Sequence, residues 1–158
     1  AEDGIRDRLS LVGSEMCIRD SNYTVTGDVV NLAARLESAN TAYRTLILIG
    51  EETASRLPDS FVLRALDRVI VKGKTQAIQV FDVIARAEQV DAATRERLAR
   101  FATAMATLLA RDFRGAILGF TALAATDPTA ALFAERAAGY AELPPPVDWS
   151  GSFALDKK

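Results

Sequence analysis

The chain has 158 residues with a formal net charge of -2; 49% of its residues are apolar and 25% charged. It holds one cysteine and no histidine, which excludes intrachain disulfides, Ser-His-Asp and Cys-His chemistry and the common zinc sites. Up to Arg86 there are 11 basic and 12 acidic side chains, and 8 and 9 after it, so neither half is a polybasic nucleic-acid surface.

Residues 1–21 follow neither helical nor strand period, and Ile5-Arg6-Asp7 recurs as Ile18-Arg19-Asp20. The block SEMCIRDS, Ser14 to Ser21, resembles translated adapter sequence. The segment reads as a non-native or disordered leader and carries no functional argument. No run approaches the roughly 20 apolar residues of a membrane span. A reducing, cytoplasmic setting is the expectation, with room for an upstream membrane anchor.

From Asn22 the pattern becomes regular. Tyr23-Thr24-Val25 is a short strand candidate that Gly27 breaks. Asp28 is placed to cap a helix reaching about Asn40, with Val29, Val30, Ala33, Leu36 and Ala39 as its buried stripe. The continuous apolar run Thr45 to Ile49, ended by Gly50, reads as a buried strand. Glu51 to Leu57 reads as a short helix stopped by Pro58. Two further strands, Phe61 to Val71 and Ala77 to Ala85, flank the turn Lys72-Gly73-Lys74-Thr75 as a hairpin. This order argues for an α+β sheet layer.

After Glu88 alanine dominates, and three helices are expected: about Ala92–Ala110, Arg114–Ala125 and Thr129–Ala141. The spacing Ala116, Phe120, Leu123, Pro128 reproduces the second-helix pattern of a tetratricopeptide repeat, though Arg100, Thr103 and Thr107 fit the first helix poorly. The prolines of Leu143-Pro144-Pro145-Pro146 imply an extended tail that Trp149 and Phe153 could anchor. Four segments result: a leader 1–21, an α+β part 22–87, a tetratricopeptide-like helical extension 88–143, and a tail 144–158.

On the first helix Asp28, Asn31, Arg35 and Ser38 share a polar stripe. A wet surface alone explains most such stripes, but Asn is a poor helix former for that purpose. Asn can hydrogen-bond a ribose, and Arg offers a fork of donors to phosphate oxygens or to charge building at a phosphorus.

The run Tyr23-Thr24-Val25-Thr26-Gly27-Asp28-Val29-Val30-Asn31-Leu32-Ala33-Ala34-Arg35-Leu36-Glu37 resembles the signature Y-T-V-I-G-D-x-V-N-x-A-A-R-L-E of class III nucleotide cyclases, the adenylate and guanylate cyclases. The resemblance continues through Ile47-Leu48-Ile49, Leu66-Asp67-Arg68-Val69 and Val71-Lys72-Gly73-Lys74, and covers residues 22 to 86. The end of the chain is similar to the helical extension and P-P-x-x-W-x-G ending of some bacterial cyclases. The resemblance implies a truncated ferredoxin-like cyclase domain, an antiparallel sheet with helices. It implies that Asn31 orients the ribose and Arg35 stabilises the transition state as the 3′-hydroxyl attacks the α-phosphorus and pyrophosphate leaves. Lys72, with Lys74 as second candidate, would hold the β- and γ-phosphates, and Thr24 would read the purine, favouring ATP over GTP. It also implies a homodimer through the cyclase domain and Mg²⁺ or Mn²⁺ as cofactor. In the family two metal-binding aspartates and a base-selecting lysine lie upstream of the signature, and nothing in residues 1–21 matches them. The expectation is therefore the C-terminal part of an adenylate cyclase, inactive by itself, with no metal ligand of its own. The competing expectation is a non-catalytic dimerisation or regulatory module whose helices bind a partner protein.

Overall fold

Alternating apolar and polar residues on the central hairpin and alanine-rich 3.6-residue periodicity after it produce two layers, a small sheet and a helical stack. The structure is a computed structural model and describes residues 28–70 and 77–154. The leader, the strand expected at Tyr23–Val25 and the hairpin turn lie outside the described residues.

In chain order the elements are α1 (Asp28–Tyr43), β1 (Leu48–Gly50), α2 (Glu51–Arg56), β2 (Phe61–Ile70), β3 (Ala77–Arg86), a short 3-10 turn (Ala87–Gln89), α3 (Ala92–Leu109), α4 (Phe113–Ala124), α5 (Pro128–Glu142) and β4 (Ser152–Ala154). The result is an α+β fold with a four-stranded sheet in the order β1-β3-β2-β4. β1 and β2 both pair with β3 in antiparallel fashion, but β4 runs parallel to β2. The sheet is thus mixed, where an antiparallel one was expected, because the proline-rich tail returns to the sheet after three intervening helices.

The last three helices start where short acidic side chains can satisfy free backbone donors. Asp91 accepts from Thr94 N, Asp112 from Gly115 N, and Asp127 from both Thr129 N and Ala130 N. Pro128 follows as the first residue of α5, where its missing N–H costs nothing. Arg44 and Arg111 end α1 and α3 in the left-handed region, with φ of 58° and 65°. Thr45 N then donates to Asn40 O, and Asp112 N to Thr107 O, closing both helix ends.

Two expectations are corrected on α1 and β1. The buried stripe of α1 is Leu36, Ala39 and Tyr43, with Leu32 packed beside them, whereas Ala33 is exposed. Only Leu48–Gly50 of the apolar run is strand, and Leu46 and Ile47 face solvent. The turn at Arg44 delays the chain's arrival at the sheet, and Ile47 O is its first acceptor there, from Val83 N. β1 is also the sheet's outer strand, so its approach has one open side.

One continuous core joins the layers. Its densest part is the triad Phe101, Phe120 and Phe133, whose ring centres lie 5.3 to 5.6 Å apart. Gly119 permits close approach of α4 to α3: a Cβ there would stand 2.9 Å from Ala104 Cβ. Ala116, Phe120 and Leu123 all turn inward from α4.

Candidate active site

The i, i+4 spacing of Asn31 and Arg35 places them one turn apart on α1. Asn31 is exposed and Arg35 half-buried. At 100° per residue the two stand about 90° around the helix from the stripe Leu32, Leu36, Ala39 and Tyr43. That stripe lies over the sheet: a Cβ at Gly50 would sit 3.7 Å from Leu32 Cδ2 and 3.8 Å from Ile78 Cγ2. The helix therefore fastens to β1 by one side, with Asn31 and Arg35 on its flank. Ser38, next along the same flank, is exposed and donates to Ala34 O at 3.0 Å. Thr24, Lys72 and Lys74 lie outside the described residues. The hairpin that carries both lysines is present on either side of its turn, as β2 and β3.

A buried polar seam behind α1 escaped the sequence reading. Arg64 on β2 donates to Asp82 on β3 at 2.6 Å, to Asp127 at the start of α5 at 2.5 Å, and to Thr129 Oγ1 at 3.0 Å. Thr129 Oγ1 in turn donates to Tyr43 O at 3.0 Å. Tyr43 donates its hydroxyl to Asp67 Oδ2 at 2.6 Å, and Arg136 of α5 pairs with the same carboxylate. The Arg64 guanidinium lies 4.7 Å from the Phe101 ring centre, and that of Arg136 lies 4.8 Å from Phe133. Both cations thus sit on aromatic faces while pairing with carboxylates.

The sheet's register explains how β2 supplies two inward charges. Ala65 pairs with Phe81 and Arg68 with Gln79, so Leu66 and Asp67 together oppose Val80 alone. This bulge reverses the in-out alternation. Arg64 and Leu66 face inward before it, Asp67 and Val69 after it. Without the bulge Asp67 would point to solvent. The signal available in the sequence was the odd spacing of Arg64 and Asp67, two of the three charges inside Phe61–Ile70, which no single alternation can bury together.

Burial sets the protonation behaviour of the seam. Desolvation raises the Asp82 carboxyl above its ordinary value; Arg64 opposes the shift, and Asp127 adds to it. For Arg136, desolvation works against the charge, but the Asp67 carboxylate outweighs it and the net shift is upward. Beside the seam, β2 and α3 enclose an open cleft of about 300 Å³ lined by residues including Leu63, Leu66, Gln79, Leu98, Phe101 and Met105.

The segment containing α1 and the hairpin also matches known proteins. Residues 10–84, just under half of the chain, match the family described as the adenylate and guanylate cyclase catalytic domain. Those residues are class III nucleotide cyclase catalytic-domain sequence. An adenylate cyclase of Anabaena cylindrica is 45% identical over 63 residues, which is 38% of this chain and 12% of that protein. The terminal-differentiation-specific adenylate cyclase of Dictyostelium discoideum is 38% identical over 79 residues, 48% of this chain and 4% of that protein. Adenylate cyclase 1 of Rhizobium meliloti (strain 1021) is 32% identical over 81 residues, 51% of this chain and 12% of that protein. The matched stretch is thus a small part of each relative. No solved structure matches the chain significantly.

The cyclase match begins upstream of Asn22, the start suggested by the residues, and ends inside β3. A cyclase catalytic domain binds a nucleotide, and cyclases of this class use divalent metal ions. Among the described residues no group of three or more Asp, Glu, Cys or His side chains stands together to hold one. No helix among those residues is long and apolar enough to cross a membrane.

Proposed function

We propose that the chain contributes the transition-state half of an adenylate cyclase site, in an enzyme that converts ATP to cyclic AMP and pyrophosphate. The observation that carries this reading is the flank of α1. Asn31 and Arg35 stand one turn apart, to the side of the apolar stripe that fixes the helix to the sheet, inside the cyclase-matched segment. Asn31 hydrogen-bonds the ribose and orients its 3′-hydroxyl. As that oxygen attacks the α-phosphorus, negative charge grows on the phosphoryl oxygens and the departing pyrophosphate. The Arg35 guanidinium, with its delocalised charge and fork of donors, stabilises it. Lys72, with Lys74 as second candidate, holds the β- and γ-phosphates at the hairpin turn. Thr24 contacts the purine through a hydroxyl able to donate or accept, a choice that favours adenine.

The partner half of the site, with the carboxylates for Mg²⁺ or Mn²⁺, comes from cyclase sequence upstream of the signature, in a homodimer formed through the cyclase domain. By themselves the 158 residues turn over negligibly. The sheet part corresponds to a truncated ferredoxin-like cyclase domain. α3 to α5 form a single tetratricopeptide-like unit, supported by the inward-facing Ala116, Phe120 and Leu123 of α4. One such unit cannot make a solenoid and instead packs on the sheet or on a partner protein.

The test is Arg35→Ala in the full-length enzyme. The expected result is a loss of about 10² to 10³ in kcat, the usual scale for removing one donor aimed at transition-state charge, in a protein that still folds. Near-normal turnover overturns the assignment.

A further inference from the structure

The end of α1 is held by α5 as well as by the sheet. A helix leaves its last four carbonyls without intrahelical donors. At Tyr43, the last residue of α1, α5 supplies one: Thr129 Oγ1 donates to Tyr43 O at 3.0 Å. The next residue, Arg44, turns into the left-handed region with a φ of 58°. Its guanidinium reaches α5 too, donating to Pro128 O at 3.4 Å and to Glu135 Oε1 at 3.3 Å. Between these contacts Tyr43 is 1% exposed, and its ring centre lies 6.4 Å from that of Phe133. Its hydroxyl donates to Asp67 Oδ2, the carboxylate that Arg136 of α5 also holds. Carbonyl, ring and hydroxyl of Tyr43 thus each meet α5 or a group that α5 holds.

Thr129 can serve α1 because its hydroxyl is fixed from the other side. Arg64 donates to Thr129 Oγ1 at 3.0 Å, so the hydroxyl proton is left for Tyr43 O. Thr129 is buried as the second residue of α5, and the Asp127 cap holds its backbone N–H. None of these α5 residues lies in the cyclase-matched segment, which ends at residue 84. The grip matters because α1 is a lever of 16 residues. From Tyr43 it is about 12 Å along the axis to Arg35 and about 18 Å to Asn31. A tilt of about 5° at the Tyr43 end moves Asn31 by about 1.6 Å over that length. A misplacement of about 1 Å can cost about 10²-fold in rate.

We infer that α5 positions the flank of α1 that carries Asn31 and Arg35, with Tyr43 and Thr129 as positioning residues. β1 holds the apolar stripe of α1 and α5 holds its end. Two fixed regions set a helix's direction where one would leave it free to swing. The inference rests on the reading that Asn31 and Arg35 act on the nucleotide, and it adds that a helix outside the cyclase-matched segment decides how accurately they do so.

Two measurements test it. The first is a double-mutant cycle in the full-length enzyme. Thr129→Val keeps the side chain's shape and removes its hydroxyl. It lowers kcat about tenfold when Arg35 is present, the scale of a sub-ångström misplacement. In Arg35→Ala it has no further effect, because coupled positions are not additive. Thr129→Ser, which keeps the hydroxyl, restores the rate. Equal losses in both backgrounds, or a Ser variant as slow as the Val one, overturn positioning in favour of a merely structural role. The second compares amide hydrogen exchange in the 158-residue chain with that in Thr129→Val and in Tyr43→Phe. Exchange across residues 35–43 rises about fivefold or more, as for a helix end moved to the low-stability side of a fold. Exchange in α4 stays as it was. Unchanged exchange at 35–43 in both variants overturns the grip, and an equal rise in α4 overturns it in favour of a general loss of structure. Near-normal turnover of Arg35→Ala overturns the catalytic reading and the positioning with it, while the exchange result separately decides whether α5 grips α1.

Discussion

The two halves of the molecule hold themselves together in different ways. From α3 to α5 the chain buries eleven apolar side chains that meet in the Phe101, Phe120 and Phe133 triad. Among the described residues, the part from α1 to β3 buries seven: Leu36, Ala39, Tyr43, Leu48, Leu66, Val69 and Val80. It compensates with charge, since Arg64, Asp67 and Asp82 are all buried there. The helical half supplies the partners Asp127, Thr129 and Arg136. The cyclase-like half thus borrows both core and counter-charges from a neighbour outside the cyclase match. The extension is part of how the cyclase-matched segment stays folded.

The largest expected effect comes from emptying the aromatic triad. Phe120 is fully buried and touches both other rings, so Phe120→Ala should cost about 4–5 kcal/mol in urea denaturation, the upper range for buried aromatics. If the halves share one core, both unfold together. Loss of the helical signal with the sheet intact would break that picture. Next comes the seam. Arg64→Met keeps the apolar stem over Phe101 but leaves Asp82 and Asp127 buried without their cation, which should cost about 3–4 kcal/mol. The loss should shrink at low pH, because the Asp82 carboxyl, raised by its burial, no longer needs the guanidinium once protonated. A loss independent of pH would mean that Arg64 acts through its bulk.

Most of this architecture was legible from residue patterns. α3, α4 and α5 begin and end within about two residues of expectation, since Asp112, Asp127 and Pro128 punctuate a strong 3.6-residue period. The Asn31–Arg35 pair was legible because four residues on a helix make one turn. What stayed hidden depends on contacts distant in sequence. The bulge at Leu66 and Asp67 is fixed by pairing with β3, and the parallel β4 by Arg111 and Tyr140 more than thirty residues upstream or on another element. Neither has a local period to read. Polar residues such as Thr129 and Asp82 look like surface until their partners are known.

The smallest effect probes the hinge between the halves. Tyr43 is the last residue of α1, yet its hydroxyl donates to Asp67 on β2 and its carbonyl accepts from Thr129 on α5. Desolvation pushes its phenol far above the ordinary value of about 10; Asp67 adds to the shift through its charge and hydrogen bond, and Arg136 opposes it. In the folded state the phenol thus keeps its proton, while in the unfolded chain it ionises near pH 10. Its contribution is therefore fully present below pH 10 and falls as pH rises above it, by about 1.4 kcal/mol per unit for one such group. Tyr140 is shifted the same way, chiefly by burial, and adds to the slope. Tyr43→Phe should cost about 1 kcal/mol at pH 7 for the lost hydrogen bond. It should also flatten the fall in stability between pH 10 and 11. The two curves should converge there, since a phenylalanine has no proton to lose. An equally steep fall in the variant would place the alkaline weakness elsewhere and leave Tyr43 a packing residue, with Asp67 held by Arg136 alone.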